Sequence, residues 1–152
     1  FCLSRGLGDV YKRQTLHQKA LPVASENISK AFSKLLTRTV YQRDGSVGFA
    51  GVQVGLKDHV FCIFINNKWK FFANAKITRK SWGKTTALEG CLSIPNKEFE
   101  VRRHNVIKVR YQNAAGEVLT ESYKGFIARV IQHELDHLNG ILISDKKRGG
   151  VK

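Results

Sequence analysis

The feature that most constrains the fold of this chain is the pentapeptide HELDH at 133–137. It lies in a stretch whose apolar residues, from Phe126 to Leu138, recur at helical spacing. On a helix, positions i and i+4 share one face about 5–6 Å apart, so His133 and His137 can reach one metal ion. Glu134 can then accept a proton from water at that metal. A surface helix with two histidines is the alternative, but two unpartnered imidazoles beside a core would be costly.

A catalytic metal site needs a third protein ligand and one open position. Downstream of His137, Asp145 is the only further candidate, and it fits the common zinc-protease patterns poorly. Upstream, the segment EGCLS at 89–93 places Cys91 between a glycine and a turn-forming serine, so its thiolate can project into a shared site. A buried structural thiol is the alternative for this cysteine.

The remaining pattern favours an α+β domain. Apolar residues from Ile28 to Val40 predict an amphipathic helix over 26–41. A period near two predicts strands over 59–66, 69–73, 98–103, 106–112 and 118–123. The glycine-rich segment 44–55 is expected to form a shaped loop or an irregular strand. Strands bracketed by two helices indicate antiparallel strands packed around a central helix that carries HELDH, with the amphipathic helix N-terminal to them.

Length and charge set further bounds. A chain of 152 residues suits one domain, which we place at 15–152, and the patternless segment 1–14 is expected to be a non-native or disordered leader. No apolar run is long enough to cross a membrane. The net charge of +14 should attract polyanions, above all nucleic acid. Three cysteines cannot complete a disulfide framework, so a reducing compartment is expected.

Three segments together resemble the signature motifs of peptide deformylases. They are EGCLSIP at 89–95, QHELDHLNG at 132–140, and a glycine-rich stretch that ends in Gln–Val–Gly at 53–55. Their order and separations also match that family, and the resemblance extends over 16–145. Only a short basic segment follows Asp145, so we expect a short form of the family without the C-terminal helix that many bacterial members carry.

The resemblance implies a metal-dependent hydrolase that removes the N-formyl group from nascent polypeptides. Cys91, His133 and His137 would bind one divalent metal, Fe²⁺ first, with Zn²⁺, Ni²⁺ or Co²⁺ also usable. Glu134 would move the proton from the attacking water to the leaving amine. The side chain of Gln53 and the backbone N–H of Leu92 would donate to the developing oxyanion.

Residues around this core also take roles by resemblance. Three of them would support the ligands: Glu89, its ion-pair partner Arg103, and Asp136, which would orient an imidazole. An apolar pocket for the first side chain of the substrate would be lined by Val47, Phe126, Val130 and the stem of Arg129. Plain core packing is an equal alternative for these four. Main chain around Gly48 and Ser93 would pair with an extended peptide.

The first motif departs from the family pattern, Gly–x–Gly–x–Ala–Ala–Pro–Gln. Ser46 replaces the first glycine, Gly51 an alanine and Val52 the proline. A serine fits poorly where φ must be positive, and losing the proline loosens the segment that aims Gln53. We therefore expect activity to be retained but reduced.

Two other classes of protein remain as alternatives. A small metalloprotease rests on the HELDH pattern alone, and a basic RNA- or ribosome-binding module with a structural metal leaves Glu134 unexplained. The expected partners are a formylated nascent peptide and, through the basic surface, the ribosome, with no membrane partner. We expect a monomer in the cytoplasm of a bacterium or of a phage-infected cell, with an organelle as the other possible location.

Overall fold

The computed structural model describes residues 16–39, 47–91 and 93–146 of the chain. The helices are α1 (Ile28–Thr39) and α2 (Gly125–Leu138), and the strands are β1 (Gly48–Ala50), β2 (Val60–Ile65), β3 (Lys68–Lys80), β4 (Lys84–Cys91), β5 (Ile94–His104), β6 (Val106–Gln112) and β7 (Val118–Lys124). Short 3₁₀ turns occur at Ser25–Asn27, Gly51–Val54 and Ile143–Lys146. The predicted leader at 1–14 lies outside the described residues.

The strands form two antiparallel sheets. Five strands lie in the order β1-β2-β3-β6-β7, and β4 pairs with β5 as a separate hairpin. The mixed α+β class, the antiparallel pairing and the N-terminal helix are therefore confirmed. No helix in the described ranges is long and apolar enough to span a bilayer.

Helix α1 is amphipathic, as its spacing predicts. Ile28, Ala31, Phe32 and Leu35 are buried and pack with Phe49 and other residues of β1–β3. The polar face carries exposed lysines. The helix begins two residues later than predicted, after a 3₁₀ turn, and its described part ends at Thr39.

Helix α2 packs against strands of both sheets, with contacts to β1, β2, β6, β7 and β5. It follows β7 directly and ends where the sequence predicts a stop. Gly140 adopts φ 73°, the Gly140 N–H bonds the carbonyl of His137, and the Ile141 N–H bonds that of Asp136. This is the Schellman arrangement that a C-terminal glycine permits. A Cβ at this glycine would collide with the backbone of His17, so the close approach also requires glycine.

Two strand predictions fall short of the structure. Strand β3 does not end at 73 but continues to Lys80 beyond a bulge at Asn74, which adopts φ 51°. The Asn74 amide bonds both backbone polar groups of Val23, so a tertiary contact stabilises the irregularity. Strand β4 is absent from the predicted strands, because its exposed threonines give little alternation of burial near its start. That omission matters because β4 ends at Cys91.

Candidate metal centre

Three buried side chains, those of Cys91, His133 and His137, converge within the described part of the chain. Their ligand atoms all lie within 4.8 Å of one another. The Cys91 Sγ lies 3.2 Å from the His137 Nε2, which lies 3.1 Å from the His133 Nε2. The structure thus brings together the three residues that the sequence predicts as ligands.

Local structure explains this convergence. The two histidines stand one turn apart on α2, so both rings leave the same face of the helix. Cys91 is the last residue of β4, where the register with β5 shifts between Gly90 and Cys91. Glu89 and Cys91 are two residues apart on this strand, so both side chains lie on its buried face and reach α2.

Glu89 links the hairpin to the helix through charged hydrogen bonds. Arg103 donates to both oxygens of Glu89, from Nε at 2.6 Å and from Nη2 at 2.7 Å. Glu89 also contacts the His133 Nδ1, at 3.1 Å. A proton held on that Nδ1 leaves the Nε2 of His133 bare and aimed at the other two ligand atoms.

The ionisation of Glu89 is determined by the same contacts. Burial disfavours its charge, but hydrogen bonds from His133 and Arg103 outweigh burial and hold its pKa at about 2. Burial likewise opposes the charge of Arg103, whose pKa is nevertheless raised by Glu89 and Asp136. Both side chains are almost fully buried, so the pair stays ionised and supports the ligand face in one geometry.

Among the described residues Asp136 makes no hydrogen bond to an imidazole, which corrects that prediction. Its carboxylate accepts from the Arg103 Nη1 at 2.7 Å and from the Lys146 Nζ at 2.7 Å. Asp136 and Glu134 flank the face of α2 that carries the histidines on opposite sides, and Asp136 lies on the side where Arg103 and Lys146 are. In the described part of the chain, Asp136 is thus linked to the cluster through Arg103 and Glu89.

Glu134 lies beside the cluster on the buried side of α2. Its Oε2 atom has no hydrogen-bond partner among the described residues, and burial raises its pKa above the ordinary value. Gly48 of β1 packs directly on it, and a Cβ at that position would lie 2.5 Å from the Glu134 Oε1 and 3.1 Å from the Val130 Cγ1. A carboxylate with one unpartnered oxygen and a raised pKa is suited to accept and release a proton.

Gln53 reaches the cluster from the 3₁₀ turn Gly51–Val54. The Gln53 Oε1 accepts from the Ala50 N–H at 2.8 Å, so the amide nitrogen faces the other way. That nitrogen lies 4.0 Å from the Cys91 Sγ and 3.4 Å from the Ser93 Oγ. Glycine fits at 51, because a Cβ there would come within 3.1 Å of the Asp58 carbonyl oxygen. Leu92 and Ser46 lie outside the described residues.

The predicted pocket residues are placed in different surroundings. Val130 is buried, Val47 is half-buried against the core, and Phe126 is 57% exposed. Gly48 and Ser93 lie at the rim of the cluster, near Glu134 and Gln53 respectively. A pocket built from these residues stays a prediction.

Arg129 has a role that the sequence analysis missed. Its Nη1 donates to the Glu89 Oε1 at 2.6 Å and to the Val101 carbonyl at 3.0 Å, while Nη2 donates to the Thr85 carbonyl at 2.6 Å. The guanidinium thus fastens α2 to both strands of the hairpin. Arg129 lies four residues before His133, so the sequence places it on the same helix. Nothing in the sequence indicates which carboxylate accepts its hydrogen bond.

Comparisons with known proteins agree on one family. The sequence model of the polypeptide deformylase family matches residues 9–150. The peptide deformylase of Thermotoga maritima is 40% identical over 139 residues, which cover 90% of this chain and 84% of that protein. A crystal structure of peptide deformylase from Thermotoga maritima aligns at TM-score 0.80 and 38% identity, covering 89% of this chain and 92% of that one.

A second solved structure gives the same result. The peptide deformylase of Synechococcus elongatus, in complex with actinonin, aligns at TM-score 0.80 and 32% identity. The alignment covers 90% of this chain and 75% of that one.

Proposed function

The chain belongs to the peptide deformylase family, and on that premise we propose that Cys91, His133 and His137 hold one divalent metal, with Fe²⁺ as the native ion. Its reaction is the metal-dependent hydrolysis that removes the N-formyl group from nascent polypeptides. The observation that carries the residue assignment is the convergence of one thiol and two imidazole nitrogens within 4.8 Å.

The donor set fits a metal of this kind. One thiolate and two neutral imidazoles suit iron, zinc, nickel or cobalt, and three protein ligands leave a position for water or substrate. The bond from His133 Nδ1 to Glu89 supports this, because it keeps the Nε2 lone pair free for a ligand role. When bound there, a divalent ion supplies Lewis-acid polarisation of the formyl oxygen and of the attacking water.

Glu134 is the proton carrier in this proposal. It would accept the proton of the attacking water at one carboxylate oxygen and deliver it to the amine that leaves as formate forms. Its full burial, its raised pKa and its unpartnered Oε2 support the role, since a carboxylate held in an ion pair would accept a proton less readily.

Gln53 and Leu92 are proposed as the donors to the oxyanion. Removing one such donor typically costs about 3–4 kcal/mol of transition-state stabilisation. The Gln53 amide supports the role because its oxygen is engaged by Ala50 and its nitrogen is directed toward the cluster. The backbone N–H of Leu92 is assigned by its place in the motif directly after Cys91.

The substrate would approach across Gly48 and Ser93, with its first side chain against Val47, Phe126 and Val130 and beside the stem of Arg129. The half-exposed ring of Phe126 and the buried Val130 lie on the same end of α2, which supports an apolar contact there. In this proposal α2 is the central scaffold, because it carries both the two histidine ligands and residues of the substrate pocket.

Partners and location are proposed at a coarser level. The formylated nascent peptide is the substrate, and the net charge of +14 supports an encounter with the RNA-rich ribosome. We propose a monomer that works in the cytoplasm of a bacterium or phage-infected cell, or in an organelle.

Matched cysteine variants test the ligand assignment. The Cys91→Ala variant should neither bind the metal nor release formate from formyl-Met-Ala-Ser. The Cys62→Ala variant should keep both its metal and its activity. Both thiols are buried, but Cys62 lies within β2 among core residues. Metal content of anaerobically purified protein and formate yield are measured side by side. Full metal content in Cys91→Ala would contradict the proposed ligand set.

A further inference from the structure

A cleft of about 600 Å³ runs along the side of α2 that faces away from the metal cluster. Gln132, Leu135, Asp136 and Asn139 form its helical wall. With about 3.6 residues per turn, these positions lie on the face opposite to His133, Glu134 and His137. The remaining walls come from β3, β4, β5 and the 3₁₀ turn after α2.

Cations dominate the lining of this cleft. Six of the residues that line it are basic: Lys76, Lys80, Lys84, Arg102, Arg103 and Lys146. Among the described lining residues, Asp136 is the one acid, and Arg103 and Lys146 already bind it. The other four cations are exposed and make no ion pair with any residue in the described ranges.

These unpaired cations come from both sheets. Lys76 and Lys80 lie on β3, while Lys84 and Arg102 lie on the paired strands of the hairpin. The two sheets therefore bring like charges to one concave surface, where low-dielectric walls concentrate the field. Burial lowers the pKa of His59 in the same cleft, and the nearby charge of Lys76 lowers it further, which agrees with a positive potential there.

We propose that this cleft binds the phosphate backbone of RNA. Four unpaired cations at one site match a chain of phosphates, and a concave surface suits a strand or a groove edge better than a flat bilayer. The inference rests on the proposed function, because an enzyme that acts on nascent peptides works close to ribosomal RNA. Binding through the back of α2 leaves the metal face open to the peptide.

Two charge-reversal triples test the site. The cleft triple is Lys80→Glu, Lys84→Glu and Arg102→Glu, and the matched control is Lys30→Glu, Lys34→Glu and Lys68→Glu, three exposed lysines away from the cleft. Binding to a short labelled RNA duplex is measured by fluorescence anisotropy across a salt series. Formate release from formyl-Met-Ala-Ser, which needs no RNA, reports folding and activity of each variant.

The cleft triple should weaken RNA binding by about 30-fold or more at about 100 mM salt, and reduce the slope of log K against log salt by about 2–3. The control triple should weaken RNA binding less than about 5-fold, because its substitutions lie away from the cleft and act on the RNA only through screened long-range electrostatics. Both triples should release formate at the parent rate.

Equal weakening by the two triples would overturn the proposal in favour of diffuse surface charge. It would also be overturned if the cleft triple lost binding to phosphatidylserine vesicles but not to RNA. A parent that bound RNA through the cleft yet released no formate would reject the proposed function instead, so the two failures are distinguishable.

Discussion

The two sides of the metal centre are held by different kinds of contact. On the hairpin side, Glu89 receives charged hydrogen bonds from Arg103 and Arg129 and meets His133, with all distances within 3.1 Å. On the β1 side, Gly48 and Gln53 are placed by close packing and by one backbone hydrogen bond. The comparison shows that one wall of the site is fixed by buried charge and the other by shape.

This difference relates to the sequence departures. The motifs at 89–95 and 132–140, which supply Glu89 and His133 to the charged wall, match the family pattern. Gly51 and Val52 depart from it on the other wall. A buried charge that loses its partner is strongly destabilising, but a packed turn can accept a residue that fits the same space. The smaller Gly51 is such a residue, because the Asp58 carbonyl leaves little room beside it.

The largest expected effect comes from breaking the charged wall. Glu89→Ala leaves the buried Arg103 without its bidentate partner, so the free energy of unfolding should fall by about 3–5 kcal/mol. Urea unfolding monitored by tryptophan fluorescence measures it. Glu121→Ala, which removes a partly exposed ion pair with Lys70, is the control and should cost less. Equal losses of stability in the two variants would show that the contribution of Glu89 to stability does not depend on its burial.

The next effect comes from filling the packed wall. Gly48→Ala places a methyl 2.5 Å from the Glu134 Oε1, so kcat for formyl-Met-Ala-Ser should fall by about 100-fold through displacement of that carboxylate. Metal content should stay at the parent level. Gly83→Ala is the control, because its nearest neighbour is the end of the Asn105 side chain. An unchanged kcat in Gly48→Ala would contradict the close packing.

A third substitution tests whether Arg129 stabilises the charged wall or lines the substrate pocket. Arg129→Met keeps an unbranched stem and removes the hydrogen bonds to Glu89, Val101 and Thr85, so the free energy of unfolding should fall by about 1.5–3 kcal/mol. If the guanidinium is structural, the ratio of kcat/KM values for formyl-Met and formyl-Leu peptides should stay constant. A large change in that ratio with unchanged stability would place Arg129 in the pocket instead.

The smallest effect comes from restoring the family residue in the packed turn. Val52→Pro should raise the free energy of unfolding by about 0.4–1 kcal/mol, because proline restricts the unfolded chain while Val52 already lies in a 3₁₀ turn. It should also raise kcat by holding Gln53 in place. A lower stability would mean that the turn has adapted to valine.

Sequence reasoning reached the parts of this molecule that depend on local pattern. The helical spacing of α2, the spacing of His133 and His137, and the stop at Gly140 follow from short-range rules, and the structure agrees with each. It missed what depends on distant partners. The bulge at Asn74 is stabilised by Val23, and the guanidinium of Arg129 is positioned by Glu89. A pairing 40 or 51 residues apart in sequence leaves no local signal.

The central claim is that Glu134 moves the proton at a metal held by Cys91, His133 and His137. Its most direct test is single-turnover formate release from formyl-Met-Ala-Ser by anaerobically purified Glu134→Gln beside the parent protein, with metal content measured on the same samples. The account predicts one bound metal in both proteins and a loss of about 10²–10⁴-fold in rate for the variant. Formate release by Glu134→Gln at the parent rate, with metal bound, would contradict it.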